Sequence, residues 1–198
     1  MTVPFSNDMK TICFTQMESP IGILTLRGTE HGLTGLFMDA HRFGPKPNVW
    51  LGWVRDDALF AEANSQLTDY FAGRRKTFEL AIDRDALGGT EFQRRVWRKL
   101  EKIIYGMTIS YGELAARIGN PNAVRAVGLA NARNPISIVV PCHRVIGANG
   151  TLTGYGGGLE RKRWLLELES GGRLFDREAP ERNQERMLRK PLRNLHSA

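Results

Sequence analysis

Twelve residues, Asn134 to Val145, constrain this chain more than any other stretch. Ile136, Ile138, Val139 and Val140 form an apolar, β-branched run that predicts a buried strand. Pro141 stops it, because proline has no N–H to give to a sheet ladder. Cys142 and His143 then stand side by side where the strand ends. A thiol next to an imidazole on a rigid element is the arrangement a cysteine nucleophile needs. The thiolate is the reactive species, and a nearby histidine or positive charge lowers the thiol pKa. A small buried cysteine beside a hydrogen-bonded histidine would account for the pair equally well. The flanking chain has to decide.

Upstream, Lys10 to Met38 reads as three strands joined by turns at Ser19-Pro20-Ile21-Gly22 and Gly28 to Gly32. Cys13 lies in the first strand with no charge or histidine beside it, and reads as core. His41 to Asp56, with Trp50 and Trp53, reads as a packed loop. Ala58 to Ala72 is expected to be a helix with Phe60, Ala63, Leu67 and Phe71 on one face, and Thr77 to Ile82 one more strand. Leu87-Gly88-Gly89-Thr90 is the best linker. The fold expected is mixed α+β: a small sheet-and-helix domain over 1–88, then a mostly helical domain over 89–171 with the cysteine after a short strand. Residues 172–198 read as a basic, disordered tail, and residues 1–9 as an unstructured lead-in.

The second half opens on a capping box, Thr90 with Gln93. Phe92, Val96, Trp97, Leu100, Ile103 and Ile104 continue a helical stripe to Gly106. Ser110 and Glu113 form a second box ahead of a short helix that stops at Gly119. A third helix, Asn122 to Ala132, follows, so the pair reads as a helix-turn-helix. That third helix is thin: Ala123, Ala126, Gly128, Ala130 and Ala132 leave Arg125 as its one charge. Such a face suits either a narrow groove or tight helix packing. Leu159 to Glu169 is the last helix, with Trp164, Leu165 and Leu168 inward. Glu169 lies four residues after Leu165, on the same side. A carboxylate there needs a cationic or N–H partner, unless the last turn frays. His143 is the obvious candidate.

Charge and cysteine use narrow the classes. The formal net charge is +7, but residues 1–88 hold 9 Lys/Arg against 11 Asp/Glu and residues 89–170 hold 12 against 6. The basic excess in the half with the Cys-His pair hints at a polyanion, nucleic acid first. Two cysteines are too few for a disulfide framework or a cysteine-based zinc site, which points to a reducing compartment. No apolar run approaches the roughly 20 residues of a membrane span, and no phosphate-loop pattern is present. A cytoplasmic protein without membrane, metal or nucleotide cofactor is expected.

Pro141-Cys142-His143-Arg144-Val145 resembles the active-site motif of the O6-alkylguanine-DNA alkyltransferases, also called methylated-DNA–protein-cysteine methyltransferases. Asn134, Arg125, Tyr111, Lys162 and Glu169 fall at that family's spacings from Cys142. Tyr155 to Leu159 and Arg161 to Leu166 resemble its closing loop and last helix. The resemblance is strong over about residues 90–170 and looser over 10–85. It implies direct-reversal DNA repair by a single-use acceptor. An alkyl group passes from O6-alkylguanine (and O4-alkylthymine) in double-stranded DNA to Cys142 after base flipping, nucleoid-associated if the source is bacterial, with no cofactor and by a monomer. It further implies that His143 takes the thiol proton through a water, that Glu169 orients His143, and that Asn134 holds the turn. Tyr111 and Lys162 would assist the leaving base. Arg125 would enter the base stack from a thin helix bearing Ala123, Ala126 and Gly128 in the minor groove, with Tyr111 and Arg144 as further DNA contacts. Val145, Tyr155, Gly156 and Ser137 would line the base pocket.

Two positions depart from part of the family: Ser137 where some members have proline, and Gly156 where Ser or Ala is common. Both predict a roomier base pocket that accepts alkyl groups larger than methyl. Among the alternatives, a cysteine hydrolase with a Cys-His-Glu triad would show turnover. An alkyltransferase-like lesion binder would lack the cysteine, and a helix-turn-helix transcription factor would leave Glu169 and the Pro-Cys-His-Arg run unexplained.

Overall fold

A computed structural model describes residues 11–45 and 52–172. The lead-in, Trp50 and the tail from 173 onward lie outside the described residues. Three antiparallel strands form the first half: β1 (Cys13–Met17), β2 (Leu24–Thr29) and β3 (Gly32–Met38). A short β4 (Val54–Arg55), not expected from the sequence, adds in parallel to β1, for a sheet order of β3-β2-β1-β4. Helix α1 (Ala61–Phe71) buries Ala63, Leu67 and Tyr70 in the apolar core.

The segment expected as a strand at Thr77 to Ile82 is not one; it touches β3 only through an isolated bridge between Ile82 and Leu33. Its backbone is satisfied elsewhere, since Glu79 N–H donates to the Gln66 side chain at 2.9 Å.

The helical half begins with α2 (Glu91–Leu100), whose Thr90–Gln93 capping box forms in both directions. Trp97 is buried, and its Nε1–H donates to the Ala130 carbonyl at 2.8 Å, tying α2 to α4. The helix ends at Leu100 rather than near Gly106. Ile103 is buried in the following turn while Ile104 is 73 % exposed. The stripe therefore outruns the helix by one turn.

A two-residue β5 (Ile109–Ser110) leads into α3 (Tyr111–Arg117), capped by Ser110 and Glu113 as the sequence predicts. Gly119, at φ +78°, turns the chain. A 3₁₀ turn at Pro121–Ala123 then opens α4 (Val124–Ala132). β6 (Val145–Ile146) pairs in parallel with β5, and α5 (Leu159–Ser170) closes on a left-handed Gly171.

The largest departure from expectation is at 136–140. These residues form turns, with one bridge from Ile136 to Leu36 and with Ile138 at φ +71°. Asn134 replaces the missing ladder: its Nδ2 donates to the carbonyls of Val140 (2.7 Å) and Ile136 (3.3 Å), and its Oδ1 accepts from Ile136 N–H (3.1 Å). Burial without a sheet demands such satisfaction of backbone polar groups. The loop still docks on the sheet edge. Leu36 N–H donates to the Pro135 carbonyl at 2.8 Å, and Ser137 N–H donates to the Leu36 carbonyl at 3.0 Å. One apolar cluster runs through both halves, from Leu24 and Leu36 to Val127, Val145 and Leu165.

Candidate active site

Cys142 opens a 3₁₀ turn, Cys142–Arg144, and is 4 % exposed. The Asn131 side chain donates to its carbonyl at 3.2 Å. Burial pushes the thiol up from its ordinary pKa, against the Asn134 side chain and the Lys162 charge, which pull it down. The resting group is therefore a thiol, not the lowered-pKa thiolate the adjacent histidine suggests in sequence. Deprotonation needs a base at the moment of reaction.

His143 supplies a nitrogen suited to that task. It is fully buried, and burial pushes its pKa down, opposed by Glu169 and assisted by Arg144 and Lys162. Its Nε2 lies 2.8 Å from Glu169 Oε1. A carboxylate only accepts, so Nε2 carries the proton and Nδ1 is left with a lone pair. Nδ1 is buried and has no hydrogen-bond partner among the described residues.

Glu169 sits inward on the last turn of α5 and accepts five hydrogen bonds. Tyr70 Oη (2.7 Å), His143 Nε2 (2.8 Å) and Arg144 Nη2 (2.8 Å) meet Oε1; Arg144 Nε (2.8 Å) and Gly106 N–H (3.2 Å) meet Oε2. Burial would raise its pKa, but His143 and Arg144 outweigh that and hold the carboxyl well below the usual carboxylate range.

Arg144 is thereby corrected. Expected at the DNA surface, it is 6 % exposed, forks onto Glu169 and gives Nη1 to the Ile103 carbonyl at 2.6 Å. A buried carboxylate at a helix C-terminus needs this counter-charge more than a surface needs another arginine.

Lys162 is fully buried one face of α5 away. Its Nζ donates to the carbonyls of Val145 and Thr153, both at 2.6 Å, and burial brings its pKa down to about 8, with Cys142 opposing. Tyr111 Oη shares its one proton between the same Thr153 carbonyl (3.0 Å) and that of Gly154 (3.1 Å). Burial raises the Tyr111 pKa, so the phenol stays protonated. One carbonyl thus joins two donors beside the thiol. The Tyr111 ring also faces Gly128 of α4, where a Cβ would stand 3.8 Å away, in ordinary contact. On α4, Val124, Arg125, Ala126 and Leu129 are exposed and Gly128 is half-buried, as is Ala123 in the turn just before it.

The expected base-pocket residues are placed less uniformly. Val145, Ser137 and Tyr155 are buried, and Tyr155 Oη reaches Met38 Sδ at 3.8 Å. Gly156 does not open space as expected. A Cβ there would overlap the His41 imidazole, so this glycine makes room for a side chain of the first half. Arg161 locks the same contact, donating to the carbonyls of Ile21 (2.7 Å), Asp39 (2.9 Å) and Gly157 (3.1 Å). Tyr70, Asn131, His41 and the Gly106 N–H carried no sequence signal, because each acts from a separate element. Among the described residues, no group of three or more His, Cys, Asp or Glu could hold a metal, and no helix is long and apolar enough to cross a membrane.

Two family models match the chain. One, "6-O-methylguanine DNA methyltransferase, DNA binding domain", covers residues 91–171; the other, the ribonuclease-like domain of the same family, covers 12–84. A methylated-DNA–protein-cysteine methyltransferase of Mycolicibacterium paratuberculosis is 55 % identical over 156 residues, 79 % of this chain and 91 % of that protein. One from Methanosarcina acetivorans is 53 % identical over 77 % of this chain and 94 % of its own length. The structure of Mycobacterium tuberculosis OGT in complex with DNA superposes with a TM-score of 0.75 at 52 % identity, covering 81 % of this chain and 94 % of that one. These relatives give no support to the cysteine hydrolase alternative.

Proposed function

The chain belongs to the 6-O-methylguanine DNA methyltransferase family, and on that premise we propose which of its residues carry the reaction and how. The activity is DNA repair by transfer of an alkyl group from methylated DNA to a protein cysteine. Cys142 is the acceptor. Its thiol passes a proton to His143 Nδ1, directly or through a water, and Sγ attacks the alkyl carbon on guanine O6. The new S–C bond forms as the C–O6 bond breaks, and the electron pair leaves on the base. Tyr111 and Lys162, which share the Thr153 carbonyl, are assigned to donate to that leaving base, and the product is a thioether that water does not cleave. Each molecule therefore acts once, and we assign the reaction to a monomer that uses no cofactor.

Glu169 stabilises the imidazolium that forms for an instant, the same logic as a Ser-His-Asp triad. The observation that carries this reading is the buried Glu169 Oε1···His143 Nε2 contact of 2.8 Å, with Nδ1 of the residue next to Cys142 buried and unpaired among the described residues. The exposed face of α4, with Arg125 flanked by small residues, is the surface we assign to the DNA minor groove, Arg125 replacing the rotated nucleotide in the stack. Residues 1–88 support the site and residues 89–171 carry it.

The test is incubation with duplex DNA holding O6-methylguanine, followed by peptide mass analysis. A gain of one CH₂ mass on the Cys142 peptide, stoichiometric and absent in Cys142→Ser, is expected. Turnover, or a gain elsewhere, overturns the reading.

A further inference from the structure

Three donors share Glu169 Oε1, and one of them comes from the first half of the chain. Tyr70, in the last turn of α1, is fully buried and donates its hydroxyl at 2.7 Å. Its ring is fixed among Phe71, Phe78 and Tyr105, with centroids 5.4, 5.3 and 6.1 Å away. A buried tyrosine hydroxyl needs an acceptor, yet here the acceptor is the same oxygen that takes the His143 proton bond. We propose that Tyr70 is a positioning residue of the alkyl transfer: its hydroxyl engages part of the Glu169 charge and so keeps His143 neutral, with Nδ1 able to accept the Cys142 proton. This rests on the roles given above to Cys142 and His143.

The charged and titratable groups around the imidazole fall on two sides. Burial opposes the imidazolium most strongly; Glu169 on α5 favours it, and Arg144 on the same turn and Lys162 on α5 oppose it. Cys142 adjoins it, and Tyr105 and Tyr70 face Glu169 and Arg144 from the Glu101–Gly106 turn and from α1. Burial and the Glu169 charge hold the Tyr70 phenol protonated, hence always a donor. A carboxylate oxygen already taken by Tyr70 and Arg144 binds a third donor less strongly. Removing the Tyr70 hydroxyl therefore tightens Glu169 on His143 and raises the proton affinity of the imidazole. The first half of the chain thus reaches the chemistry through one oxygen atom.

The experiment uses the full chain. Single-turnover rates with O6-methylguanine duplex, and carbamidomethylation of Cys142 by iodoacetamide, are each measured across pH for wild type, Tyr70→Phe and Phe71→Leu. For Tyr70→Phe we expect the acid limb of both profiles to move upward by up to about one pH unit, so that the rate falls by up to about tenfold on the acid side of the wild-type limb and stays within about twofold on the plateau above it. Phe71→Leu trims the same aromatic cluster and is expected to lower the melting temperature without moving the limb. An unmoved limb in Tyr70→Phe, or an equal movement in Phe71→Leu, overturns the proposal. Should Tyr70→Phe fail to fold, 3-fluorotyrosine at position 70 keeps the packing and strengthens the donor. It must then move the limb downward, and no movement overturns the proposal as surely. If wild type transfers no methyl while the iodoacetamide profile still shifts, the functional reading fails and the Tyr70 linkage stands.

Discussion

Replacing Glu169 with glutamine removes a charge and one acceptor from a site built around both. With the amide nitrogen in place of Oε2, it faces Arg144 Nε and the Gly106 N–H; in place of Oε1, it faces Tyr70, His143 and Arg144 Nη2. Either orientation leaves at least two buried donors opposite a donor, and leaves the Arg144 guanidinium without its counter-charge. Removing one partner of a buried pair costs about 3–5 kcal/mol, a large share of the roughly 5–15 kcal/mol that holds a domain folded. We expect Glu169→Gln to lose about 4 kcal/mol of unfolding free energy in urea at pH 7.

The pH dependence has a definite sign. The folded carboxyl is held well below its unfolded value, although burial alone would raise it, because His143 and Arg144 favour the charged form. Its stabilisation is therefore complete above the unfolded pKa of about 4.3 and drains away as pH falls toward the folded value. The gap between wild type and Glu169→Gln should narrow steadily below about pH 4.3. Urea midpoints for both proteins from pH 3 to 8 decide the matter. A loss under about 1 kcal/mol at pH 7, or a gap that stays constant down to pH 3, would refute the account of a carboxylate pinned by charge.

Three further outcomes are expected. Burial lowers the folded pKa of Lys162 from 10.5 to about 8, so its charged form is penalised below that value. Wild type should gain stability between these two pH values, and its transfer rate should decline above about pH 8 if the ammonium assists the leaving base; Lys162→Met should show neither change. Asn134→Ala removes the hydrogen bonds that hold Ile136 and Val140; with about 1–3 kcal/mol for each buried group left unsatisfied, thermal unfolding should show a loss of several kcal/mol, and the Cys142 thiol, no longer pulled down by Asn134, should react more slowly with iodoacetamide at neutral pH. A wild-type-like melting curve contradicts this. Gly156→Ala should be destabilised by overlap with His41, and His41→Ala in the same chain should restore much of the loss, a coupling measurable by a double-mutant cycle. Purely additive effects would show that the two do not meet.

Much of the helical half was legible because its determinants are local. Thr90 with Gln93 and Ser110 with Glu113 close capping boxes across three residues, and Trp97 follows the period of its own helix. Glu169 could be placed inward from Leu165 by the same geometry. Such contacts lie within one or two turns, so the residues that make them are adjacent in the text. The expected neighbours of the thiol, His143, Asn134, Lys162 and Glu169, also fall in the one site, because motif spacing on α5 and on the Cys142 turn carries them together.

What tertiary structure alone decided involves partners distant in the chain. An apolar, β-branched run says that 136–140 is buried, but not whether a ladder or the Asn134 amide satisfies its backbone; both bury the same surface. Arg144 looks like any surface arginine until Glu169, 25 residues on, arrives uncompensated in the interior. Gly156 reads as empty space until His41 fills it. The hydroxyl of Tyr70, 99 residues from Glu169, meets that carboxylate only because the sheet half and the helical half share one core. Hydrophobic burial is nondirectional and shows in composition, whereas charge and hydrogen-bond compensation are directional and depend on which groups the fold brings face to face.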